Sequence, residues 1–312
     1  MTVHIDLSKL DANLGRYTER VRRAGVALRT HVKGHRLPEI TARQVRAGAV
    51  GVSVHSAAEA KAHLRAGAED VVIAWPWRDP WRWPRFAELA RSCRLAVHVD
   101  DPSVVPGLAA AAEASGTRIG VRVELATGLH RTGVAPEDAV ALARTVDAHK
   151  SLRFEGVTGY AAITTPEEAK RRFELGRDHA ELLVQVAGEL ATAGLPVEVV
   201  SAGGTPTLDG ALSVPGVTEV CCGAYALLDS GLAALGECEL DEVAIWLSDD
   251  DTGLLAGGDQ VWEPGVTMTR TGETTVLPAH VCPLVAKRPV LSVRRDGAEV
   301  AVWHALVDPD RQ

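Results

Sequence analysis

Short apolar runs alternate with amphipathic stretches along the first three quarters of the chain. Eight runs rich in β-branched residues lie at 26–32, 50–54, 71–74, 95–99, 119–125, 154–160, 197–201 and 217–222. Each run is too short for a helix and leads into a polar or glycine-bearing turn, which is typical of a strand. Helical patterns follow several of them, at 56–66, 136–149 and 166–194. The pattern predicts strand and helix alternating eight times.

The number of these units suggests a fold class. Eight strand–helix units over about 230 residues suit a closed (β/α)8 barrel of the TIM type, within the α/β class. An open sheet of eight strands is the alternative. Asp101 before Pro102 and Thr165 before Pro166 each place an N-cap ahead of a proline at the first helical position. We predict that the barrel comprises residues 1–235.

After residue 236 the pattern changes to short extended runs separated by Gly, Asp and Pro. These runs lie at 243–247, 260–262, 266–270, 275–277, 290–294 and 299–303. Arg295-Asp296-Gly297, between the last two runs, is typical of a hairpin turn. We predict that residues 236–312 form a small C-terminal all-β domain.

Composition and charge exclude several classes of protein. A formal net charge of −8 gives a nucleic-acid partner no global electrostatic support. No apolar run is long enough to cross a membrane, and the first residues do not resemble a secretory signal. The five cysteines are an odd number without framework spacing, which favours reduced thiols in the cytoplasm.

Candidate chemistry follows the predicted strands, because a barrel of this type carries its active site in the loops at their carboxyl ends. The first run ends at Lys33. A lysine in the low-dielectric mouth of a barrel can act as an amine nucleophile, whereas one that only reaches solvent has no such role. Arg131 follows the fifth run and could meet a phenolate or carboxylate, or could be a plain surface arginine.

Glycines and hydroxyls follow the seventh and eighth runs, at Gly203-Gly204-Thr205 and at Gly223-Ala224-Tyr225. Many barrels bind a phosphate in these two loops, because glycines let backbone N–H groups approach the anion. A plain tight turn explains the Gly-Gly pair alone equally well. With a lysine at the first strand, the position favours a phosphate-bearing ligand.

His280 and Cys282 lie near the end of an extended run in the small domain. Residues two apart on a strand point the same way, so imidazole and thiolate could share one cation. Two protein ligands leave positions open, as a catalytic zinc requires. An accidental His-x-Cys is the alternative.

Five segments occur in the order seen in one superfamily. They are Arg-Thr-His-Val-Lys-Gly-His, Thr-Gly-Leu-His-Arg-Thr-Gly, Gly-Gly-Thr-Pro-Thr, Cys-Gly-Ala-Tyr and Leu-Pro-Ala-His-Val-Cys-Pro. Over about residues 25–290 the chain resembles fold-type III pyridoxal-phosphate enzymes, specifically the D-threonine aldolase and D-serine dehydratase group. The resemblance implies an alanine-racemase-like barrel with a β-domain, a pyridoxal 5'-phosphate cofactor and a homodimer.

The resemblance also implies individual roles. Lys33 matches the lysine that forms the Schiff base, Arg131 the arginine beside the phenolic oxygen, and Tyr160 a tyrosine near the pyridine ring. Phosphate-binding positions match Gly203, Gly204, Thr205, Gly223 and Tyr225. His280 and Cys282 match the divalent-metal pair.

Two features depart from that group. Its aldolases usually carry a histidine and a glycine after the tyrosine, whereas Tyr160 is followed by Ala161 and Ala162, so a candidate acid–base histidine is absent. Residues 75–83 hold four of the seven tryptophans, which could form an aromatic wall or lid, or pack on a second subunit or a helix.

The acidic triplet at 249–251 suggests a second cation site only weakly, and a solvated turn explains it better.

The implied activity is that of a lyase acting on a D-configured β-hydroxy-α-amino acid. Loss of water would give a keto acid and ammonia, whereas Cα–Cβ cleavage would give glycine and an aldehyde. The thiolate of Cys282 favours zinc and the dehydratase, since aldolases more often carry a carboxylate there, which suits manganese or magnesium. An amino-acid racemase, which needs no metal pair, and a non-catalytic cofactor-binding protein, which lacks the β-domain, are further alternatives.

Overall fold

The computed structural model describes residues 2–128, 131–248, 268–270, 275–307 and 310. Its strands are β1 (Thr2–Asp6), β2 (Ala27–His31), β3 (Gly51–Val54), β4 (Asp70–Ile73), β5 (Arg94–Val99), β6 (Ile119–Glu124), β7 (Leu152–Tyr160), β8 (Val199–Gly203), β9 (Glu219–Cys222), β10 (Ile245–Ser248), β11 (Met268–Arg270), β12 (Thr275–Pro278), β13 (Val290–Arg295) and β14 (Ala298–His304). Its α-helices are α1 (Leu7–Arg23), α2 (Pro38–Ala47), α3 (Ala57–Arg65), α4 (Trp83–Leu89), α5 (Val105–Ala114), α6 (Ala139–Asp147), α7 (Pro166–Lys170), α8 (Arg172–Thr192), α9 (Leu208–Leu212), α10 (Ser230–Ala234) and α11 (Val281–Lys287).

Strands β2 to β9 form a closed parallel barrel. Each strand pairs with the next, and β9 returns to β2, with Ala27 opposite Glu219. The predicted closed barrel is therefore confirmed, and the open sheet is excluded. Each of the eight predicted runs overlaps one of these strands, because a strand covered on both faces is mostly apolar.

Side chains at the helix starts form the predicted caps. Thr165 accepts a hydrogen bond from the backbone of Glu168, whose carboxylate accepts one from the backbone of Thr165, so α7 begins with a complete capping box. Asp101 accepts from the backbone of Ser103 and caps the 3₁₀ turn before α5. These caps orient the helices that follow β5 and β7.

A buried ion-pair network fills part of the barrel interior. Arg29 donates to Glu219 at 2.9 Å, and Arg122 donates to both Glu219 and Glu155 at 2.7 and 3.1 Å. Burial alone would raise the pKa of Glu219, but the charges of Arg29 and Arg122 lower it to about 2. The carboxylate of Glu219 therefore stays ionised in the interior. Removing either partner of such a pair would leave an uncompensated buried charge.

A second sheet has the order β11-β12-β10-β1-β13-β14. Strand β1 pairs antiparallel with β10 and parallel with β13, so the start of the chain lies in this sheet rather than in the barrel with which the sequence analysis grouped it. The predicted boundary at residue 235 otherwise stays a prediction. Helix α11 also belongs to this part of the chain, which was predicted to be all-β.

The predicted hairpin joins β13 to β14 through Asp296 and Gly297, whose φ angles of 51° and 80° suit a turn of two left-handed residues. The predicted run at 260–262 and the acidic triplet at 249–251 lie outside the described residues. Within the described part of the chain, no helix combines the length and apolar character needed to span a membrane.

Candidate active site

A cavity of about 490 Å³ opens at the carboxyl ends of the barrel strands. Its wall includes nine of the ten site residues predicted from the sequence, namely Lys33, Arg131, Tyr160, Gly203, Gly204, Thr205, Gly223, His280 and Cys282. The volume lies in the range of small-ligand sites, which is about 300–1,000 Å³. The structure thus brings together residues that are up to 249 positions apart, from Lys33 to Cys282.

The tenth predicted residue, Tyr225, does not line this cavity with its side chain. Tyr225 is 1% exposed, and its ring lies in the core, 5.4 Å from the ring of Tyr17, centroid to centroid. The sequence pattern could not separate Tyr225 from its neighbours, because Gly223 and Ala224 do reach the cavity wall.

Lys33 lies in a 3₁₀ turn, Val32–Gly34, directly after β2. Its Nζ lies 5.4 Å from the ring centroid of Tyr160 and forms no ion pair with a described residue. Gly34 packs so tightly under the turn that a Cβ there would lie 2.7 Å from the carbonyl oxygen of Gly223. This contact fixes the lysine turn against the loop after β9.

The loop after β8 has the features of an anion cradle. Gly204 has φ of +119°, and a Cβ there would lie 2.6 Å from Oγ1 of Thr207, so only glycine fits. Oγ1 of Thr205 is buried and makes no hydrogen bond of normal geometry among the described residues, although it interacts with the thiol of Cys222. A thiol is a weak hydrogen-bonding partner, so the hydroxyl is available to a bound acceptor. The cavity beside Lys33 and this loop therefore fit a phosphate-bearing aldehyde cofactor.

His280 and Cys282, at the start of helix α11, complete the cavity wall. Their local structure differs from the one that the sequence predicted. His280 is the N-cap of α11 and Cys282 lies in its first turn, so the prediction of one extended strand is wrong. Pro283 explains the difference, since proline suits the first turn of a helix and cannot donate to a sheet. Both side chains nevertheless line the cavity.

Asp229 supports this pair and was not predicted from the sequence. Its Oδ2 accepts from the backbone N–H of Val281 at 3.0 Å and lies 3.4 Å from Nδ1 of His280. Hydrogen bonds to Asp229 and Cys282 raise the pKa of His280 to about 10. The surroundings therefore favour a positive charge at this point. A divalent cation that displaced the proton would find a neutral imidazole beside a soft thiolate, which is a suitable donor set.

A sequence profile described as alanine racemase, N-terminal domain, matches residues 5–230. This match covers well over half of the chain. The chain belongs to the alanine racemase N-terminal domain family.

Relatives within this family carry two activities in their names. The chain is 35% identical to D-threo-3-hydroxyaspartate dehydratase of a Delftia species over 249 residues, which are 77% of this chain and 64% of that protein. It is 30% identical to D-threonine aldolase of an Arthrobacter species over 233 residues, 74% of this chain and 61% of that protein. The aligned segments thus span less than two thirds of the length of these curated relatives.

A solved structure of the Delftia dehydratase resembles this chain along most of its length. The TM-score is 0.82 at 27% identity, and the alignment covers 98% of this chain and 97% of that chain. A D-threo-3-hydroxyaspartate dehydratase has also been solved as a cysteine-to-alanine variant in the metal-free form. The alanine-racemase-like barrel with a second sheet, which the resemblance implied, is confirmed.

The tryptophan-rich segment separates into three environments in this family member. Trp83 is buried and packs against Phe86, with ring centroids 5.8 Å apart. Trp77 and Trp81 enclose the guanidinium of Arg82, whose Cζ lies 3.5 and 4.1 Å from their ring centroids. Trp75 lies against Arg131, a residue of the cavity wall. The segment is anchored to the barrel through these contacts.

Glu124 and His98 line the cavity and were also missed by the sequence analysis. They lie at the carboxyl ends of neighbouring strands, with His98 Nδ1 3.2 Å from a carboxylate oxygen of Glu124. Burial would raise the pKa of Glu124, but the hydrogen bond and charge of His98, the hydroxyl of Thr132 and the charge of Arg131 hold it below its usual value. Their position at strand ends was the available signal, since such residues face the active site of a barrel.

Proposed function

We propose that this protein is a pyridoxal-phosphate- and metal-dependent lyase that removes water from a D-configured β-hydroxy-α-amino acid. The observation that carries the proposal is the convergence of Lys33, the glycine loop and the pair His280 and Cys282 on one cavity. The names of the relatives support the same class, since they include a dehydratase and aldolases acting on D-amino acids.

Lys33 is the residue to which the cofactor would attach, and its turn is held by Gly34 against Gly223. The cofactor supplies an electron sink for negative charge that develops at the α-carbon of an amino acid. The amine of Lys33 would hold the α-proton of the amino acid. Burial, together with the nearby Cys282, raises the pKa of Tyr160, so its phenol stays neutral beside that amine.

Gly203, Gly204 and Thr205 would hold the cofactor phosphate, with Gly223 from the neighbouring loop. Positive φ at Gly204 turns the backbone so that it follows the cavity wall. The buried hydroxyl of Thr205 would donate to a phosphate oxygen.

His280 and Cys282 would hold a divalent cation, which we propose to be zinc because one donor is a thiolate. Such a cation supplies Lewis acidity toward the β-hydroxyl of the amino acid. Asp229 orients the imidazole through Nδ1, which leaves Nε2 as the ligating nitrogen. Two protein donors leave room for substrate oxygen.

Retro-aldol cleavage to glycine and an aldehyde is the second candidate, and the Arthrobacter aldolase at 30% identity favours it. A racemase would not need the pair on α11. We further propose that the protein acts as a homodimer in the cytoplasm, where the five unbridged cysteines stay reduced.

Product analysis tests the reaction. The purified protein, loaded with cofactor, would be given D-serine, D-threonine and both D-3-hydroxyaspartate diastereomers, with and without zinc. We expect a keto acid and ammonia in equal amounts, and only when zinc is present. Glycine and an aldehyde would support the aldolase instead, and full activity after exhaustive chelation would exclude a role for the metal.

A further inference from the structure

The guanidinium of Arg131 lies against the indole of Trp75, the first residue of the tryptophan-rich segment. We propose that Trp75 is a positioning residue for Arg131, holding the guanidinium by its ring face so that the N–H groups stay free for the phenolic oxygen of the cofactor. This inference rests on the proposed function, which makes the cavity a pyridoxal-phosphate site.

The contact has the geometry of a cation–π interaction. Cζ of Arg131 lies 4.9 Å from the ring centroid of Trp75, inside the limit of about 6 Å for such contacts. Within the described residues, the guanidinium makes no hydrogen bond and no ion pair. The five N–H donors of Arg131 are therefore available to a ligand. The contact with Trp75 nevertheless determines where the guanidinium lies.

The loop that carries Arg131 is closed at its base. Val134 donates to the carbonyl of Glu124, and Ala126 donates to the carbonyl of Val134. Gly133 has φ of +108°, and a Cβ there would lie 2.4 Å from the backbone nitrogen of Ala126, so this closure requires glycine. The hydrogen bonds at its base therefore fix the backbone of the loop that carries Arg131.

Carboxylates hold this loop without touching the guanidinium. Glu124 accepts a hydrogen bond from the hydroxyl of Thr132, the residue after Arg131. Asp100 accepts from the backbone N–H of Gly133 at 3.0 Å. The charge of Arg131 helps to lower the pKa of Glu124, so the two groups attract each other without a direct bond. What remains to fix the guanidinium itself is the ring of Trp75.

Trp75 is in turn held by its own segment. Its carbonyl accepts from the backbone of Trp77 at 2.9 Å, and the indole N–H of Trp77 donates to the carbonyl of His55 at 2.6 Å. The ring of Trp75 meets the edge of the His55 ring at 6.1 Å between centroids. The indole of Trp75 therefore packs against the rings of His55 and Trp77 as well as against Arg131.

A ring face suits this task better than a carboxylate. A carboxylate that held Arg131 directly would occupy two N–H groups in a fork and offset the charge that a phenolate needs. An aromatic face attracts the cation and uses none of its donors. The tryptophan-rich segment, which the resemblance left unexplained, thereby gains a role at the site.

A double-mutant cycle tests the proposal on cofactor affinity rather than on activity. Pyridoxal 5'-phosphate would be titrated into the apo forms of wild type, Trp75→Leu, Arg131→Ala and the double variant, and binding would be followed by the visible band of the lysine adduct. We expect Trp75→Leu to weaken binding about three- to thirty-fold, the range of a cation–π contact, and Trp75→Phe to retain most of the affinity. In the Arg131→Ala background, Trp75→Leu should have no further effect.

Trp81→Leu is the matched control, since Trp81 lies in the same segment, is 48% exposed and does not line the cavity. It should bind the cofactor as wild type does, and thermal unfolding of each apo variant would show that the fold is kept. Equal losses from Trp75→Leu with and without Arg131 would overturn the positioning role. If wild type forms no lysine adduct at all, the proposed function fails instead, so the two failures are distinguishable.

Discussion

The carboxylate of Asp229 lies 3.4 Å from Nδ1 of His280, on the side of the ring away from Nε2. Asp229 is 1% exposed and its other oxygen accepts from the backbone of Leu232, so its position is fixed. A histidine that ligates a metal is commonly oriented in this way by a carboxylate at its other nitrogen. The relationship leads to the first prediction.

Asp229→Asn should weaken zinc binding by about ten- to a hundred-fold, because the imidazole loses its ionised partner. Competition with a chromogenic chelator would measure the affinity. Asp241→Asn removes an exposed carboxylate from the same part of the chain and should leave the affinity unchanged. Equal zinc affinity in the two variants would contradict the role of Asp229.

Cys282→Ser should abolish tight zinc binding and the release of keto acid, since a hydroxyl is a far weaker ligand than a thiolate. The visible band of the lysine adduct should persist, because Lys33 is untouched. Cys282→Asp should shift the metal preference toward manganese, and its product ratio would show whether aldol cleavage increases. Zinc binding by Cys282→Ser at the wild-type level would place the metal elsewhere.

Lys33→Ala should eliminate the visible band, and borohydride should fix the cofactor to wild type but not to the variant. Peptide mapping of the reduced protein should find the label at Lys33. Lys61→Ala, at a side chain 53% exposed on the outside of the barrel, provides the control. A label on any other lysine would disprove the assignment.

Thr205→Val should lower cofactor affinity while leaving the apoprotein as stable as wild type or slightly more so. The reason is that Oγ1 of Thr205 is buried with only a weak interaction with the Cys222 thiol among the described residues, so its removal costs the apoprotein little. A cofactor titration and a denaturant titration of the apoprotein would measure the two effects. Loss of apoprotein stability with unchanged cofactor affinity would make Thr205 a structural residue.

Stability should fall as the pH drops from 6.5 toward 5. Burial lowers the pKa of His35 to about 3 and that of His63 to about 4, from the usual 6.5. Between these values the unfolded chain binds protons that the folded chain does not, so acid favours unfolding. Each histidine contributes up to about 1.4 kcal/mol per pH unit in this window. Denaturant titrations at pH 7.5, 6.5, 5.8 and 5.0 would detect the slope, and a flat profile would refute it.

The sequence by itself determined the barrel and the neighbourhood of the site. Eight apolar runs that alternate with helical patterns favoured a closed barrel over an open sheet, and the pairing of β9 with β2 confirms the closure. Because parallel strands bring all their carboxyl ends to one face, Lys33, Arg131 and Gly204 could be placed together without coordinates. N-caps such as Thr165 could also be predicted from the sequence, since they depend on neighbours three residues away.

Tertiary structure alone decided the details that depend on distant partners. The role of Asp229 could not be predicted from sequence, because it depends on a contact with His280, which lies 51 residues further along the chain. Pairing of β1 with β10 and β13 likewise depends on strands more than 200 residues away, which no local pattern encodes. Trp75 received its place beside Arg131 only when two loops from different strands met. Local periodicity determines which face of a strand or helix a residue occupies, whereas tertiary packing determines which distant residue it contacts.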